Sequence, residues 1–411
     1  MRIRRAALIA GAIAIMICPA MPAQAPGTCA GMIPGQIGSL NGFVPFQGTT
    51  SLWNTNIANE PVDPNSANII GYIGVSKTLH PDFGSGLYDG QSMGIPYQIV
   101  SASQPLVNVV LDAYAGQSDP GPMPIPANAL IEGYPAPANG DAHVLVLDKD
   151  NCFLYELYNS QYEKGGSWKA NSTAVWDMTI AEQRPYTWTS ADAAGLPIFP
   201  GLLRYDEVAA GAIHHAIRFT VPTTQQAFIA PASHWASSTT TPHAPPMGTR
   251  LRLKAGFNIS GYSKTNQVIL TALKQYGMIL ADNGSALFIG GTPDSRWDND
   301  DLGDLHQLTA ADFDVVEQGT IYTPSKLPSG PSPSISNFKT SAATVKPGQA
   351  VTLTWNVNWE VATPGFNIVT PAVGAVRGSS VVVHPTVTTT YSLYSTNEHG
   401  RTIAKVTVTV H

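Results

Sequence analysis

Strict alternation of apolar and polar positions is the strongest pattern near the C-terminus. Val351-Thr-Leu-Thr-Trp355, Ser380-Val-Val-Val-His384, Thr390-Tyr-Ser-Leu-Tyr394 and Ile403-Ala-Lys-Val-Thr-Val-Thr-Val410 all carry a period of two. Such runs, split by turn residues at short intervals, predict a small antiparallel sandwich. Upstream, His143 to Asp148 and Cys152 to Tyr158 predict two strands, with Lys149-Asp150 as a tight hairpin tip. Further strands are expected at His214–Val221, Gln226–Ile229 and Arg250–Ala255. Ser263 to Tyr276 predicts a helix, because Val268, Ile269, Ala272, Leu273 and Tyr276 share a face and Gly277 ends the pattern. Met278–Leu280 and Ala286–Ile289 flank a turn at Asp282–Ser285, and short helical pieces are expected at Ser190–Ala194 and Asp206–Ala210. Strands dominate without a strand–helix–strand rhythm. The expected fold class is mainly β, a large β-sandwich or barrel-like domain with a few short helices, followed by a small β-sandwich.

The N-terminus changes the picture of where this chain works. Arg2, Arg4 and Arg5 precede an apolar run from Ala6 to Cys18, and small residues continue to Ala25. That layout predicts a signal peptide over 1–25, too short to span a membrane. The expected destination is secreted, extracellular or periplasmic. Cys29 and Cys152 then remain, and an oxidising compartment suits a disulfide between them; two buried free thiols are the plainer alternative. Only 12% of residues are charged and the net charge is −6, so nothing points to nucleic acid or to an anionic membrane surface.

A stretch reading PSKLPSGPSP at 324–333 predicts an extended linker. It separates a main domain at 26–323 from a module at 334–411. Lys346-Pro-Gly-Gln-Ala-Val-Thr-Leu-Thr-Trp355, Thr388-Thr-Thr-Tyr391 and Asn397-Glu-His-Gly400 resemble the immunoglobulin-like modules appended to secreted bacterial enzymes and surface proteins. The resemblance implies an Ig-like sandwich serving as spacer or accessory binding unit. In the main domain, SADAAGLPIFPGLLRYDEVAAGAIHHAIRFT and YGMILADNGS are similar to stretches of secreted bacterial proteins of no assigned activity, which implies a family but no reaction.

No catalytic fingerprint such as G-x-S-x-G or H-E-x-x-H is present. The candidates are therefore polar residues on strand faces. A tight tip at Lys149-Asp150 would pair Leu147 with Cys152 and set His143 opposite Glu156. A glutamate inside an aromatic run is costly without a partner, so the pair is either acid/base machinery or an ordinary ion pair. His214 and Arg218 are expected on the polar face of their strand, with Tyr205, Asp206 and Glu207 just ahead of it. The carboxylates can equally serve as first-turn helix residues. Arg250, Arg252 and Lys254 alternate on one strand and can bind an anionic group or pair with neighbouring carboxylates. Trp176 beside Asp177, and Trp188 between threonines, suit sugar rings, although core packing is the commoner use. Asp298 to Asp304 is oxygen-rich enough for a structural Ca²⁺ but lacks the final glutamate of an EF-hand loop. No other cofactor and no catalytic metal is expected.

Three functions fit. The first is a secreted glycoside hydrolase acting on a polysaccharide or oligosaccharide, with two carboxylates drawn from Glu156, Asp177, Glu207 and Asp282, and His214 beside them. The second is a uronate lyase, with Arg218, Arg250 or Arg252 neutralising the uronate and Tyr205 or His214 removing the proton. The third is a non-catalytic carbohydrate-binding or surface protein. His143, Trp176, Trp188, Tyr205, Arg218, Arg250 and Arg252 are the substrate-binding candidates. A carboxylate pair across a cleft would favour the first, a cleft with Arg, Tyr and His the second, and a flat polar surface the third.

Overall fold

The near-continuous apolar runs at 144–148 and 153–158 place side chains on both faces of one sheet, and each face has its own core. The computed structural model describes residues 28–137, 140–163, 165–181 and 183–411; the expected signal peptide lies outside them. Strands Gly35–Gln36, Tyr97–Val100, Val144–Asp148, Phe153–Tyr158 and Ser172–Asp177 form a five-stranded sheet in that order. Leu145, Leu147, Leu154 and Trp176 pack on one side with Ile198, Phe199 and Leu202. Val144, Val146, Phe153, Tyr155 and Leu157 pack on the other with Ile368 of the C-terminal module. The period of two thus sorts one run between two cores.

A six-stranded mixed sheet holds the larger core. Its order is Phe313–Val315, Arg250–Leu253, Met278–Asn283, Ile217–Val221, Phe288–Gly290 and His80–Asp82. Ile269, Leu270 and Leu273 bury one face of the helix Lys264–Gln275 in this core. Ser263 caps that helix through the Asn266 N–H. The chain is mainly β, 33% strand against 13% helix.

Several local expectations need correction. Met278–Asn283 and Phe288–Gly290 do not pair with each other; Ile217–Val221 lies between them and pairs with both, parallel to the first. The connection between that parallel pair passes through Arg250–Leu253, and the helix Lys264–Gln275 joins this strand to Met278–Asn283, its antiparallel neighbour. The hairpin tip is longer than two residues. Leu147 pairs with Leu154 and Leu145 with Glu156, because Asp148 accepts from the Asp150 and Asn151 N–H groups and closes a four-residue loop. The register moves by two, which keeps every residue on its face but removes Glu156 from His143. No helix forms at 190–194, and 226–229 contributes only isolated bridges through Phe228.

The C-terminal residues form two sheets, one of Ser334–Thr340, Val351–Asn358 and Ser380–Val383, the other built round Asn367–Thr370, Thr389–Asn397 and Gly400–Val410. They share a core of Leu353, Trp355, Val369 and Leu393 in a sandwich-like arrangement. The module is not loosely tethered. Arg377 forks onto Asp177 at 2.6 Å and lies 4.2 Å over the Phe153 ring. Arg401 donates to Asp119 at 2.7 Å and lies 4.5 Å over Trp188.

Cys29 and Cys152 are disulfide-bonded across 123 residues. Chain entropy assigns such a bridge about 2–5 kcal/mol. Urea unfolding of the Cys29→Ser/Cys152→Ser variant is expected to show a loss of that size; an unchanged midpoint would show that the bridge constrains nothing the fold does not already hold. Among the described residues, no helix is long and apolar enough to cross a membrane.

Candidate active site

The two large sheets meet at a polar pocket of about 320 Å³, lined by Asp82, Tyr88, Gln91, Ser92, Glu132 and Asp141 among others. Each wall has a local cause. Asp82 ends the edge strand His80–Asp82, which pairs with Phe288–Gly290. Glu132 belongs to a loop that runs beside the start of Val144–Asp148, where the Glu132 N–H donates to the His143 carbonyl at 2.9 Å. Tyr88 and Ser92 come from a two-strand hairpin whose turn, Asp89-Gly90, has φ of 50° and 81°. Those angles suit a turn with both central residues left-handed, the setting in which Asp-Gly is favoured. Tyr88 is 76% exposed, so the hairpin carries an aromatic ring into solvent at the pocket rim.

His143 lies behind Glu132, 2% exposed. Its Nδ1 is 2.6 Å from Glu132 Oε2 and its Nε2 is 3.0 Å from the Ala191 carbonyl. Two acceptors facing two ring nitrogens call for the imidazolium, with both nitrogens donating. Burial works to lower the His143 pKa, but the Glu132 carboxylate overrides it and pushes the value up to about 9. Burial likewise works to raise Glu132, and His143 holds it below the usual glutamate range. Asp82 goes the opposite way. Protein packed round its carboxyl and then the charge of Glu132 raise its pKa, against a smaller pull from Arg218.

Glu132, Asp141 and His143 bring three potential ligand atoms within 4.8 Å of one another. Two of the three, His143 Nδ1 and Glu132 Oε2, pair directly at 2.6 Å.

Arg218 anchors the buried side. It forks onto Asp192 at 2.9 and 2.7 Å and stands 4.0 Å from Asp282. One guanidinium between two carboxylates leaves an excess negative charge. Burial and then Asp192 accordingly push Asp282 up and keep its proton on.

The residues singled out in sequence fall into separate places. His143 and Asp282 belong to the constellation around the pocket, with Arg218 behind. Glu156 is fully buried and accepts from Trp176 Nε1 at 3.1 Å and from the Ile198 and Phe199 N–H groups at 2.9 Å. It caps the single turn Phe199–Gly201, and burial pushes its pKa up to about 7. Asp177 is held by Arg377. Trp188 lies under Arg401, and Trp176 is core. Glu207 joins Arg204 at 2.6 Å and His215 at 3.1 Å in a buried triad. His214 precedes its strand rather than lying in it, and is exposed beside Tyr276. Arg250 donates to the carbonyls of Leu52, Thr55 and Tyr276, and Arg252 to those of Ile57, Ala58 and Glu60. The expected anion-binding stripe is thus a clasp for one loop. The acidic run at Asp298 caps the short helix Asn299–Gly303, and Asp301 accepts from Ser263 Oγ at 2.7 Å.

Asp82, Glu132, Asp141 and Asp192 were not singled out in sequence. Each sits in irregular chain or at a strand end, where periodicity carries no signal. The one available clue was compositional: Glu132 and Asp141 are isolated carboxylates in a Pro/Gly-rich loop. No protein-family model, no curated protein and no solved structure matches this chain.

Proposed function

We propose that this chain is a secreted glycoside hydrolase whose acid/base pair is Asp82 and Glu132. The observation that carries the reading is that these two carboxyls line one pocket while their surroundings push their pKa values apart. Such divergence is how two like groups take the two roles of glycosidic cleavage. Asp82, whose pKa burial and then Glu132 raise, delivers the proton to the departing oxygen in its acid form. Glu132, kept ionised by His143, acts on the anomeric side as base or nucleophile. Tyr88 offers an apolar face for a sugar ring at the rim. The C-terminal module, read as Ig-like, acts as a fixed support.

A lyase draws on a different place. Tyr205 and His214 share a wide groove along the helix Lys264–Gln275 with Lys264, and no carboxylate is among the described lining residues. The arginines that a uronate would need are engaged elsewhere, which favours the hydrolase.

The test is a product assay on neutral, amino and uronic glycans, following reducing ends and the absorbance of unsaturated products. New reducing ends without unsaturation are expected. The pH profile gives the sign. Activity requires Glu132 ionised and Asp82 protonated, so it plateaus above the lowered Glu132 pKa and falls as pH rises through the raised Asp82 pKa. Asp82→Asn is expected to remove that basic limb together with most of kcat. A variant that keeps the limb unchanged would take the acid role away from Asp82, and unsaturated products would move the assignment to the groove at His214.

A further inference from the structure

The seat of Arg377 is built from the loop that carries the disulfide. Its guanidinium forks onto both Asp177 carboxylate oxygens at 2.6 Å, donates to the Asn151 carbonyl, and reaches the Cys152 carbonyl at 3.3 Å. The same group lies 4.2 Å over the Phe153 ring. Asp177 is the register partner of Phe153 on the neighbouring strand. These partners are residues 151–153 and the residue paired with Phe153, and none of them lines the pocket.

Cys152 is the centre of that seat. Its φ is 56°, in the left-handed region that a residue with a side chain holds only when its surroundings fix it there. Three constraints meet on it. Its Sγ is bridged to Cys29, its carbonyl accepts from the Met178 N–H at 3.1 Å, and the same carbonyl accepts from Arg377. Cys29 brings the N-terminal segment with it, since Met32, Leu40 and Phe43 share a core with both cysteines.

We propose that the Cys29–Cys152 bridge is a redox latch for the C-terminal module. Closed, it holds the 151–153 loop in the form that seats Arg377. A dithiol opens it by passing two electrons and two protons to the cysteines, and itself closes to a cyclic disulfide. Cys152 then relaxes out of the left-handed region, and the two carbonyls turn away from Arg377. The module stays on through Arg401 and the apolar contact of Phe366 and Ile368, with one of its charged anchors released. Linkage makes the effect reciprocal: whatever the bridge adds to the seating of Arg377, the seated arginine adds to the resistance of the bridge. For a chain read as exported, the cysteines meet an oxidising compartment only after export, so the module is locked at its destination and not before.

Trypsin acting on the full chain reads the seat directly, because the Arg377–Gly378 bond is cut only when the Arg377 side chain leaves its partners and enters the protease. Lys326, exposed in the linker, reports protease activity, and Arg204, 1% exposed, reports global unfolding. Cleavage after Arg377 is expected to be at least about fivefold faster in the Cys29→Ser/Cys152→Ser variant, and in wild type reduced with dithiothreitol, than in the oxidised chain. Cleavage after Lys326 and Arg204 is expected to stay the same. The opposite direction needs no cysteine variant. Arg377→Met keeps apolar cover over Phe153 and removes the hydrogen bonds. Its bridge is expected to be reduced by dithiothreitol with an equilibrium constant at least about fivefold larger than in wild type, the lower end of coupling between two sites. An unchanged rate at Arg377, a rise at Arg204 in step with it, or an equal reduction constant in Arg377→Met would each overturn the proposal.

Discussion

Glu132→Gln is expected to lower kcat/KM on a cleavable glycan by roughly 10²–10⁴-fold, the usual contribution of a positioned acid or base. The size follows from what the residue does twice. Its carboxylate faces the pocket, and the same group holds His143 as an imidazolium through a 2.6 Å contact. Glutamine keeps the shape and removes the charge, so the anomeric centre loses its base or nucleophile and His143 loses its counter-ion. The second loss is separately visible. With Glu132 gone, burial is left to dominate, and the His143 pKa is expected to drop from about 9 to below the ordinary 6.5. A histidine NMR titration reads that drop, whatever happens to activity. Because the folded-state pKa of His143 is raised, the pair contributes stability that is full below about pH 6.5 and is lost as pH rises towards 9. The wild-type advantage over Glu132→Gln in denaturant unfolding should fade across that window. A folded Glu132→Gln enzyme within a few-fold of wild-type activity would remove Glu132 from the chemistry. A fallen His143 pKa in that same variant would leave the ion pair as a structural feature only.

What the sequence could and could not disclose follows from the kind of signal each residue carries. The strands 144–148 and 153–158 were legible because their apolar residues serve two cores at once, which writes hydrophobic runs interrupted only by Glu156 and ended by Asp148. Their register was not, because it depends on Asp148 closing a four-residue tip through its side chain, and side-chain caps leave no periodicity. The shift by two preserved the faces, so His143 was rightly placed on the face of Leu145, but its partner came from Glu132, eleven residues upstream in a loop. Asp82 ends a strand of three residues containing a proline, a pattern that reads as loop. The alternation of Arg250 and Arg252 was real, yet their acceptors are backbone carbonyls at 52–60 and at Tyr276, and a carbonyl has no letter in a sequence. The tryptophans and carboxylates of 176–188 were visible as a polar aromatic cluster. Their use, seating Arg377 and Arg401 of the C-terminal module, joins residues about 200 apart.

That seam carries the second large effect. Asp119→Ala is expected to cost at least about 3–5 kcal/mol, the penalty for breaking a buried ion pair by removing one partner. Asp119 is 5% exposed and serves three donors: Arg184 at 2.7 Å, Arg401 at 2.7 Å and the Val175 N–H at 3.0 Å. Its removal strands two guanidiniums side by side, and each already repels the other. Arg184 would keep its bonds to the Gln117 and Thr189 carbonyls, and Arg401 its bond to the Ser118 carbonyl, but no negative charge would remain between them. Replacing Arg401 with Met in the same background should recover part of the loss, since it removes the repulsion and keeps apolar contact with Trp188 and Tyr394. Burial works to raise the Asp119 pKa, and the two arginines outweigh it and hold it below the ordinary aspartate value. A depressed carboxylate stabilises above its unfolded pKa and loses that contribution as pH falls through the folded one. The wild-type lead over Asp119→Asn should therefore be constant near neutrality and shrink only below about pH 4. Urea unfolding of wild type, Asp119→Ala, Arg401→Met and the double variant, at neutral pH and at acid pH, measures the whole cycle. Additive losses would show that Asp119 and Arg401 do not act on each other. A coupling of 1 kcal/mol or more, lost in acid, would show that the C-terminal sandwich is locked to the rest of the chain by charge as well as by the apolar contact of Ile368 and Phe366 with the five-stranded sheet.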